Sequence, residues 1–274
     1  MPLTVLVTGA TDGLGRGVAA RLAADGARVL VHGRSEARIA DTTDEIHRTT
    51  GNDSCRGYLA DFASLAEVRR LADDVQTNEG RLDVLINNAG IGRGPTGAQH
   101  REESADGHEL RFAVNYLAPY LLTRLLLPLL KGSAPARVVN VASIGQSPVD
   151  FDDVMQRKGY DAAHAYSQSK LALIMFSVEL AARLGHDGAV TVNSLHPGSL
   201  MPTKIVREAW SQTIDTLESG IAAVTRLATE PALDGVSGRY FDGQTESTAL
   251  AQAYDPDALQ RLWTLSAELV NLSS

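Results

Sequence analysis

The sequence predicts an α/β protein: a doubly wound parallel sheet, helices on both faces in three layers, forming a single domain over residues 1–274. Three observations predict it. Short β-branched runs alternate with longer amphipathic stretches. The runs are almost continuously apolar, as befits strands buried on both faces. A glycine-rich turn separates the first run from the first helical stretch.

In chain order, Leu3–Val7 reads as a strand and Leu14–Ala24 as a helix. Ala27–Val31 is a strand, Glu36–Thr49 a helix, Ser54–Leu59 a strand and Leu65–Glu79 a helix. Val84–Ile86 is a strand that runs into Asn87-Asn88-Ala89-Gly90. Asp106–Leu130 is helical, Val138–Val141 a strand, His164–Leu184 a helix and Val190–Leu195 a strand. Right-handed crossovers between such units wind the sheet in both directions. Three loop-rich stretches, Ile91–Ser104, Ile144–Ala163 and Gly198–Thr216, follow strands, where open α/β sheets bind ligands. They read as pocket walls, with 198–216 as a lid; the alternative is idle surface insertion.

Composition narrows the function classes. With 25 basic and 33 acidic residues the formal net charge is −8, which argues against nucleic acid as a partner. Cys55 is the single cysteine, so neither a disulfide framework nor a cysteine-based metal site is expected, and no metal site is apparent. The opening apolar run is too short for a signal-peptide core. No run reaches the ~20 apolar residues of a membrane span; Tyr116–Leu130 is interrupted by Pro119, Arg124 and Pro128. A cytoplasmic setting is expected.

The turn Thr8-Gly9-Ala10-Thr11-Asp12-Gly13-Leu14-Gly15 has the spacing G-x-x-x-G-x-G. Gly9 allows a sharp turn, Gly13 a close approach of backbone to phosphate, and Gly15 packing of helix on strand. The helix start then offers free N–H groups and a positive dipole end to an anion. Gly9, Thr11, Asp12, Gly13, Leu14 and Gly15 are therefore candidates for a dinucleotide cradle. After the second strand a site for NAD carries Asp or Glu to accept from the ribose 2′-hydroxyl. Here the sequence is His32-Gly33-Arg34-Ser35, with Arg34 19 residues past Gly15. A guanidinium suits a 2′-phosphate, with Ser35 as a neutral donor and Arg38 one turn on, so NADP(H) is the expected cofactor. After the third strand, Asp61 is placed to accept from the adenine amino group, with Phe62 beside it as a further cofactor-binding candidate; Asp61 could equally cap the helix at Leu65. Asn88, Ala89 and Gly90 leave room for a ribose beside the backbone.

Tyr166 and Lys170 are spaced i, i+4 and share a helix face. A phenol has an ordinary pKa near 10, which a neighbouring ammonium lowers, fitting it for acid/base duty near neutrality. The residues after Lys170, Leu171-Ala172-Leu173-Ile174-Met175-Phe176, are apolar around the whole helix, so the lysine begins a buried helix and needs a reason to be there. Ser143 closes the fifth strand at the ligand edge. Asn115 sits mid-helix, four residues before Pro119, which suggests a buried hydrogen-bonding duty.

Taken together, the glycine turn, Asn87–Gly90, Asn115, Ser143, Tyr166/Lys170 and His196-Pro197-Gly198 resemble the short-chain dehydrogenase/reductase family, in family order across the first 200 residues. The resemblance implies a Rossmann-type fold and a tetrad of Asn115, Ser143, Tyr166 and Lys170. Tyr166 would be the acid/base. Lys170 would lower its pKa and hold the ribose hydroxyls, Ser143 would orient the substrate oxygen, and Asn115 would anchor a proton-relay water. Pro197, Gly198 and Thr203 would lie by the nicotinamide half, while His196 reads as structural. Ser143 and Tyr166 lie 23 residues apart, against about a dozen in most members. That insert, with Lys158-Gly159-Tyr160, Gly238-Arg239-Tyr240-Phe241 and the tail Arg261–Leu269, resembles the retinol dehydrogenase and WW-domain oxidoreductase-like branch. Neither a membrane anchor nor a WW domain is expected beside it, so retinoid or lipid substrates are not implied with any force.

The leading expectation is interconversion of a ketone or aldehyde with an alcohol by hydride transfer. A non-catalytic NADP(H)-binding sensor or scaffold, and a carbon–carbon double-bond reductase, are the alternatives. Leu200, Met201, Ile205, Val206 and Trp210 suggest an apolar or aromatic substrate, or else a lid packing on itself. A homo-oligomer formed through the helices holding Asn115 and Tyr166 is also plausible.

Overall fold

The computed structural model describes residues 2–94, 100–185, 188–203, 206 and 212–273. Eight strands form one sheet in the order β3-β2-β1-β4-β5-β6-β7-β8. They are β1 (Thr4–Val7), β2 (Arg28–Gly33), β3 (Arg56–Leu59), β4 (Val84–Asn87), β5 (Ala136–Val141), β6 (Val190–His196), β7 (Tyr240–Asp242) and β8 (Thr245–Ser247). β1 to β7 pair in parallel and β8 closes the edge antiparallel to β7. The chain winds outward both ways from β1 and β4, so the two turns at Gly9 and Ala89 face each other at the switch point. Helices α1 (Gly13–Ala24), α2 (Glu36–Thr50) and α3 (Leu65–Asn78) follow the first three strands. Then come α4 (Leu110–Gly132), α5 (Ala162–Leu184), α6 (Leu217–Thr229) and α7 (Pro256–Leu269).

The period-two alternation of each strand feeds two cores. Leu6, Leu30, Leu85, Val138 and Val192 point to the α3, α4 and α5 side. Val5, Val7, Val29, Val31, Val84, Ile86 and Val139 point to the α1 and α6 side. Both strand faces are covered, hence the continuous apolar runs.

The structure moves several expected boundaries. The long helix begins at Leu110, not Asp106, because the Glu109 carboxylate caps it by accepting from the Phe112 N–H at 2.7 Å. Asp106 instead accepts from the Leu65 N–H at 2.9 Å. The sequence reading assigned no elements beyond Leu195, yet α6, β7, β8 and α7 complete the domain; β7 and β8 are only three residues each. Helix α4 is long and apolar enough to cross a membrane by composition, but 72% of that window is buried inside the protein. Its prolines do not end it. Pro119 has no N–H to give Asn115 and its ring crowds that carbonyl. The turn widens to a π-segment, Ala113–Leu117, where the Ala118 N–H donates to the Ala113 carbonyl.

Helix α7 packs on α5 through a cluster of Tyr120, Phe176 and Trp263. The Trp263 ring is flanked by the guanidinium groups of Arg183 and Arg124, 4.1 and 4.5 Å from its centroid. Part of the helix surface expected to serve self-association is thus occupied by the chain's own C-terminus.

Candidate active site

At the switch point, close packing of backbone makes the cradle. Gly9 and Gly13 adopt left-handed conformations, with φ of 64° and 47°. A Cβ on Gly9 would lie 2.8 Å from the Ala89 Cα, and one on Gly15 would lie 2.3 Å from both the Asn88 amide nitrogen and the Gly9 carbonyl. Asn88 fixes the two turns together by donating to the carbonyls of Thr8 and Gly9, at 2.9 and 3.2 Å. The Thr8 hydroxyl accepts from the N–H groups of Asn88 and Ala89. Gly15 therefore exists to seat Asn88 as much as to pack helix on strand. Asp12 caps α1 by accepting from the Gly13 N–H at 2.8 Å and is paired with Arg38 at 2.9 Å. Its side chain is engaged in the helix cap. Among the described residues the N–H groups of Leu14 and Gly15 have no partner within the protein, which leaves them for an anion.

Arg34 is exposed and makes no hydrogen bond or ion pair among the described residues. Ser35 occupies the cap position of α2 without a side-chain cap bond. Arg38 reaches back to the Thr11 carbonyl at 3.2 Å, so it holds the cradle while Arg34 stands open. Asp61 accepts from the Ala63 N–H at 2.9 Å, and Ser64, not Asp61, caps α3. The Phe62 ring is buried and stacks on His32, with centroids 4.6 Å apart.

His32 was missed as a functional element. It is buried behind the cradle. Its Nδ1 accepts from the Gly9 N–H at 3.1 Å, which leaves Nε2 to donate to the Ala60 carbonyl at 3.1 Å. It thereby joins β2 to the turns after β1 and β3. Burial pushes its pKa down to about 4, and so it stays neutral. The sequence signal was a histidine inside an otherwise apolar strand.

At the other half of the sheet edge, the expected quartet converges. Ser143 follows β5, and its side chain lies beside the Tyr166 phenol, where it acts to lower the pKa of that group. Ser143 Oγ also accepts from the Gly145 N–H at 3.0 Å, which orients the hydroxyl. Lys170 is buried; its Nζ lies 5.8 Å from the Tyr166 ring centroid and donates to the Val141 carbonyl at 2.9 Å. Asn115, at the centre of the π-segment, accepts from the Ile91 N–H at 2.8 Å and donates to the Ile91 carbonyl at 3.1 Å and to Ser169 Oγ at 3.0 Å. A Cβ on Gly90 would come to 3.2 Å of Asn115 Oδ1 and 3.6 Å of Lys170 Nζ, so Gly90 adjoins both.

One expectation is corrected. The Tyr166 phenol is not lowered by its lysine. Burial raises it, the neighbouring Ser143 works in the opposite direction, and the ammonium is spent on Val141. Burial also pushes Lys170 down to about 8.

Behind the quartet stand residues that the sequence did not single out for a site. Tyr240 Oη and Gln146 Nε2 both donate to the Ser143 carbonyl, at 3.2 and 3.1 Å. Gln168 on α5 accepts from the Asp150 N–H and donates to the Val154 carbonyl, tying the insert to the catalytic helix. Pro197 is buried and His196 Nε2 meets Ser199 Oγ at 3.1 Å, with its pKa lowered by burial, in agreement with a structural role. Asp215 accepts from the Ser199 N–H and closes the base of the 198–216 segment beside Gly198. Thr203 stands against Gly13, its methyl 3.4 Å from where a Cβ there would be. Met201 packs on Gly220 and is buried, so it serves the core; Ile205 and Trp210 lie outside the described residues.

A dinucleotide cradle on one side of the switch point and a Ser–Tyr–Lys group on the other define an α/β oxidoreductase of the nicotinamide type. The chain belongs to the short-chain dehydrogenase family, whose sequence profile matches residues 3–214, and within it to the retinol dehydrogenase branch. It is 38% identical over 288 residues to retinol dehydrogenase 13 of Mus musculus, covering 98% of this chain and 84% of that one. An uncharacterized protein of Mycobacterium paratuberculosis superposes with a TM-score of 0.78 at 28% identity, over 100% of this chain and 96% of the other. A short-chain dehydrogenase of Shigella flexneri crystallised with NADP gives a TM-score of 0.71 at 26% identity, over 88% and 97%. The protein is accordingly an oxidoreductase acting on an alcohol/carbonyl pair with a nicotinamide cofactor.

Proposed function

We propose that this oxidoreductase uses NADP(H) to interconvert a ketone or aldehyde with an alcohol, with Tyr166 as the acid/base. The observation that carries the reading is the grouping of Ser143, Tyr166 and the buried Lys170 beside Gly90, across the switch point from an exposed Arg34 that makes no bond among the described residues. The residues fit the cofactor: the Leu14 and Gly15 N–H groups for the pyrophosphate, Arg34 and Ser35 for a 2′-phosphate, Asp61 and the Phe62 backbone for adenine, and Asn88–Gly90, Pro197, Gly198 and Thr203 for the remainder. When bound, the nicotinamide supplies or accepts the hydride.

In reduction, Tyr166 gives its phenolic proton to the oxygen that gains charge. A raised pKa keeps that proton in place at neutral pH, and Ser143 donates a hydrogen bond to the same oxygen. In oxidation the phenol must ionise, and the positive charge of Lys170 favours that step once its ammonium turns from the Val141 carbonyl toward the ribose hydroxyls. Asn115 holds Ile91 and Ser169 and so fixes the floor over which protons are exchanged.

Among the described residues the exposed large apolar side chains are Leu3, Ile144, Ile214, Leu250 and Tyr254. Ile144 follows Ser143, Ile214 pairs with Leu200 in the lid segment 198–216, and the Leu250 N–H donates to Gln146. Apolar residues thus rim the catalytic edge, which favours an apolar or aromatic substrate.

The test is NADPH consumption by the purified protein over a diverse carbonyl panel, with Tyr166→Phe in parallel. Turnover by the wild type, reduced on the order of 10²–10⁴-fold in Tyr166→Phe, is expected. Absence of turnover in both proteins overturns the reading.

A further inference from the structure

The insert between Ser143 and Tyr166 carries Tyr160, whose hydroxyl lies between two buried charges. Arg111 Nη1 donates to Tyr160 Oη at 2.7 Å, and Tyr160 Oη donates to Glu109 Oε1 at 2.9 Å. Glu109 and Arg111 are 1% and 5% exposed, so this is an interior pair, 3.6 Å apart, bridged by a phenol from a distant segment. The rest of the guanidinium is committed elsewhere. Its Nε donates to the Gly92 carbonyl at 3.0 Å and its Nη2 to the Arg93 carbonyl at 3.3 Å. Four residues on, along the same helix, Asn115 holds the N–H and carbonyl of Ile91. One helix therefore fixes Ile91, Gly92 and Arg93, immediately after the Gly90 that adjoins Lys170.

A guanidinium pointed by a single hydrogen bond can swing; one held by an anion and a phenol on one edge presents its other edge at a fixed angle. We propose that Tyr160 and Arg111 are positioning residues that couple the insert to the Gly90–Arg93 loop, so that the wall of the substrate pocket sets the place of the loop beside the nicotinamide half of the cofactor. Contact with this half rests on the function proposed above; the coupling of insert to loop does not. The adenine end, at Arg34 and the glycine turn, shares none of these bonds.

Tyr160→Phe keeps the ring and removes the bridge; Arg111→Lys keeps the charge and removes the fork. Three measurements test the coupling: amide hydrogen exchange across 88–94 in the protein alone, binding of adenosine 2′,5′-bisphosphate, and kcat with NADPH. Both variants should speed exchange across 88–94 several-fold and leave the turn at 8–15 at wild-type rate. Adenosine 2′,5′-bisphosphate should bind both variants within twofold of wild type, and kcat should fall about tenfold in Tyr160→Phe and further in Arg111→Lys. Unchanged exchange across 88–94 overturns the coupling, as does faster exchange at both turns with weaker binding of the bisphosphate, which marks a merely structural role. Faster exchange with a wild-type kcat overturns the positioning role. If the wild type itself turns nothing over, the functional reading fails, and the coupling is decided by exchange alone.

Discussion

The two halves of the catalytic edge are built by different means. Around the glycine turn, backbone packs with no room for a Cβ: Gly9 against the Ala89 Cα, and Gly15 against the Gly9 carbonyl and the Asn88 amide. Around Ser143, it is side chain to backbone across long stretches of sequence: Tyr240 to Ser143, Asn115 to Ile91, Gln252 to Val149, Arg111 to Gly92. The first kind tolerates no added atom, because nothing nearby is free to give. The second kind loses one hydrogen bond at a time and fails gradually.

Substitutions should expose the contrast. Gly15→Ala puts a methyl 2.3 Å from the Asn88 amide and the Gly9 carbonyl, and should lower stability by roughly 3 kcal/mol in urea denaturation together with loss of cofactor binding. A wild-type unfolding midpoint would show that the two turns can part. Acid should attack the same half. His32 has an ordinary pKa of 6.5 and about 4 in the folded protein, so the unfolded chain takes up its proton first. The stability it contributes is complete above pH 6.5 and is lost as pH falls toward 4, on the order of 3 kcal/mol in all. His32→Gln, which retains one acceptor and one donor, should flatten that part of the pH–stability curve; an unchanged slope would assign the acid sensitivity to other groups.

Arg34→Ala should raise the KM for NADPH about 10–100-fold and leave that for NADH nearly unchanged, as loss of a charge-assisted contact to a 2′-phosphate demands. Equal effects on both would remove Arg34 from cofactor choice. The smallest effect belongs to the gradual half. Tyr240→Phe deletes one of two donors to the Ser143 carbonyl, so kcat should fall several-fold, about 1 kcal/mol, with NADPH affinity preserved. A loss as large as that from Gly15→Ala would erase the distinction between the halves.

The legibility of the two halves in the sequence follows the same division. The glycine turn, Arg34 and the Tyr166/Lys170 spacing are local patterns, and each was found at its place in the fold. The strands through β6 were legible because burial on both faces leaves continuous apolar runs. β7 escaped because three residues carry no period, and α7 because its site, the aromatic face of Tyr120 and Phe176, exists only once α4 and α5 have packed. The helix through Pro119 was legible, but the π-segment that absorbs the missing bond was not.

What the sequence determined by itself was the order of strands and helices, the cradle and the catalytic spacing, since these are set by neighbours within a few residues. The tertiary structure alone decided that the Tyr166 phenol is raised and not lowered, that Phe62 turns inward to His32, and that Tyr160 lies between Glu109 and Arg111. Each depends on burial and on partners at the end of another element, and neither desolvation nor a long-range hydrogen bond leaves a trace in local spacing.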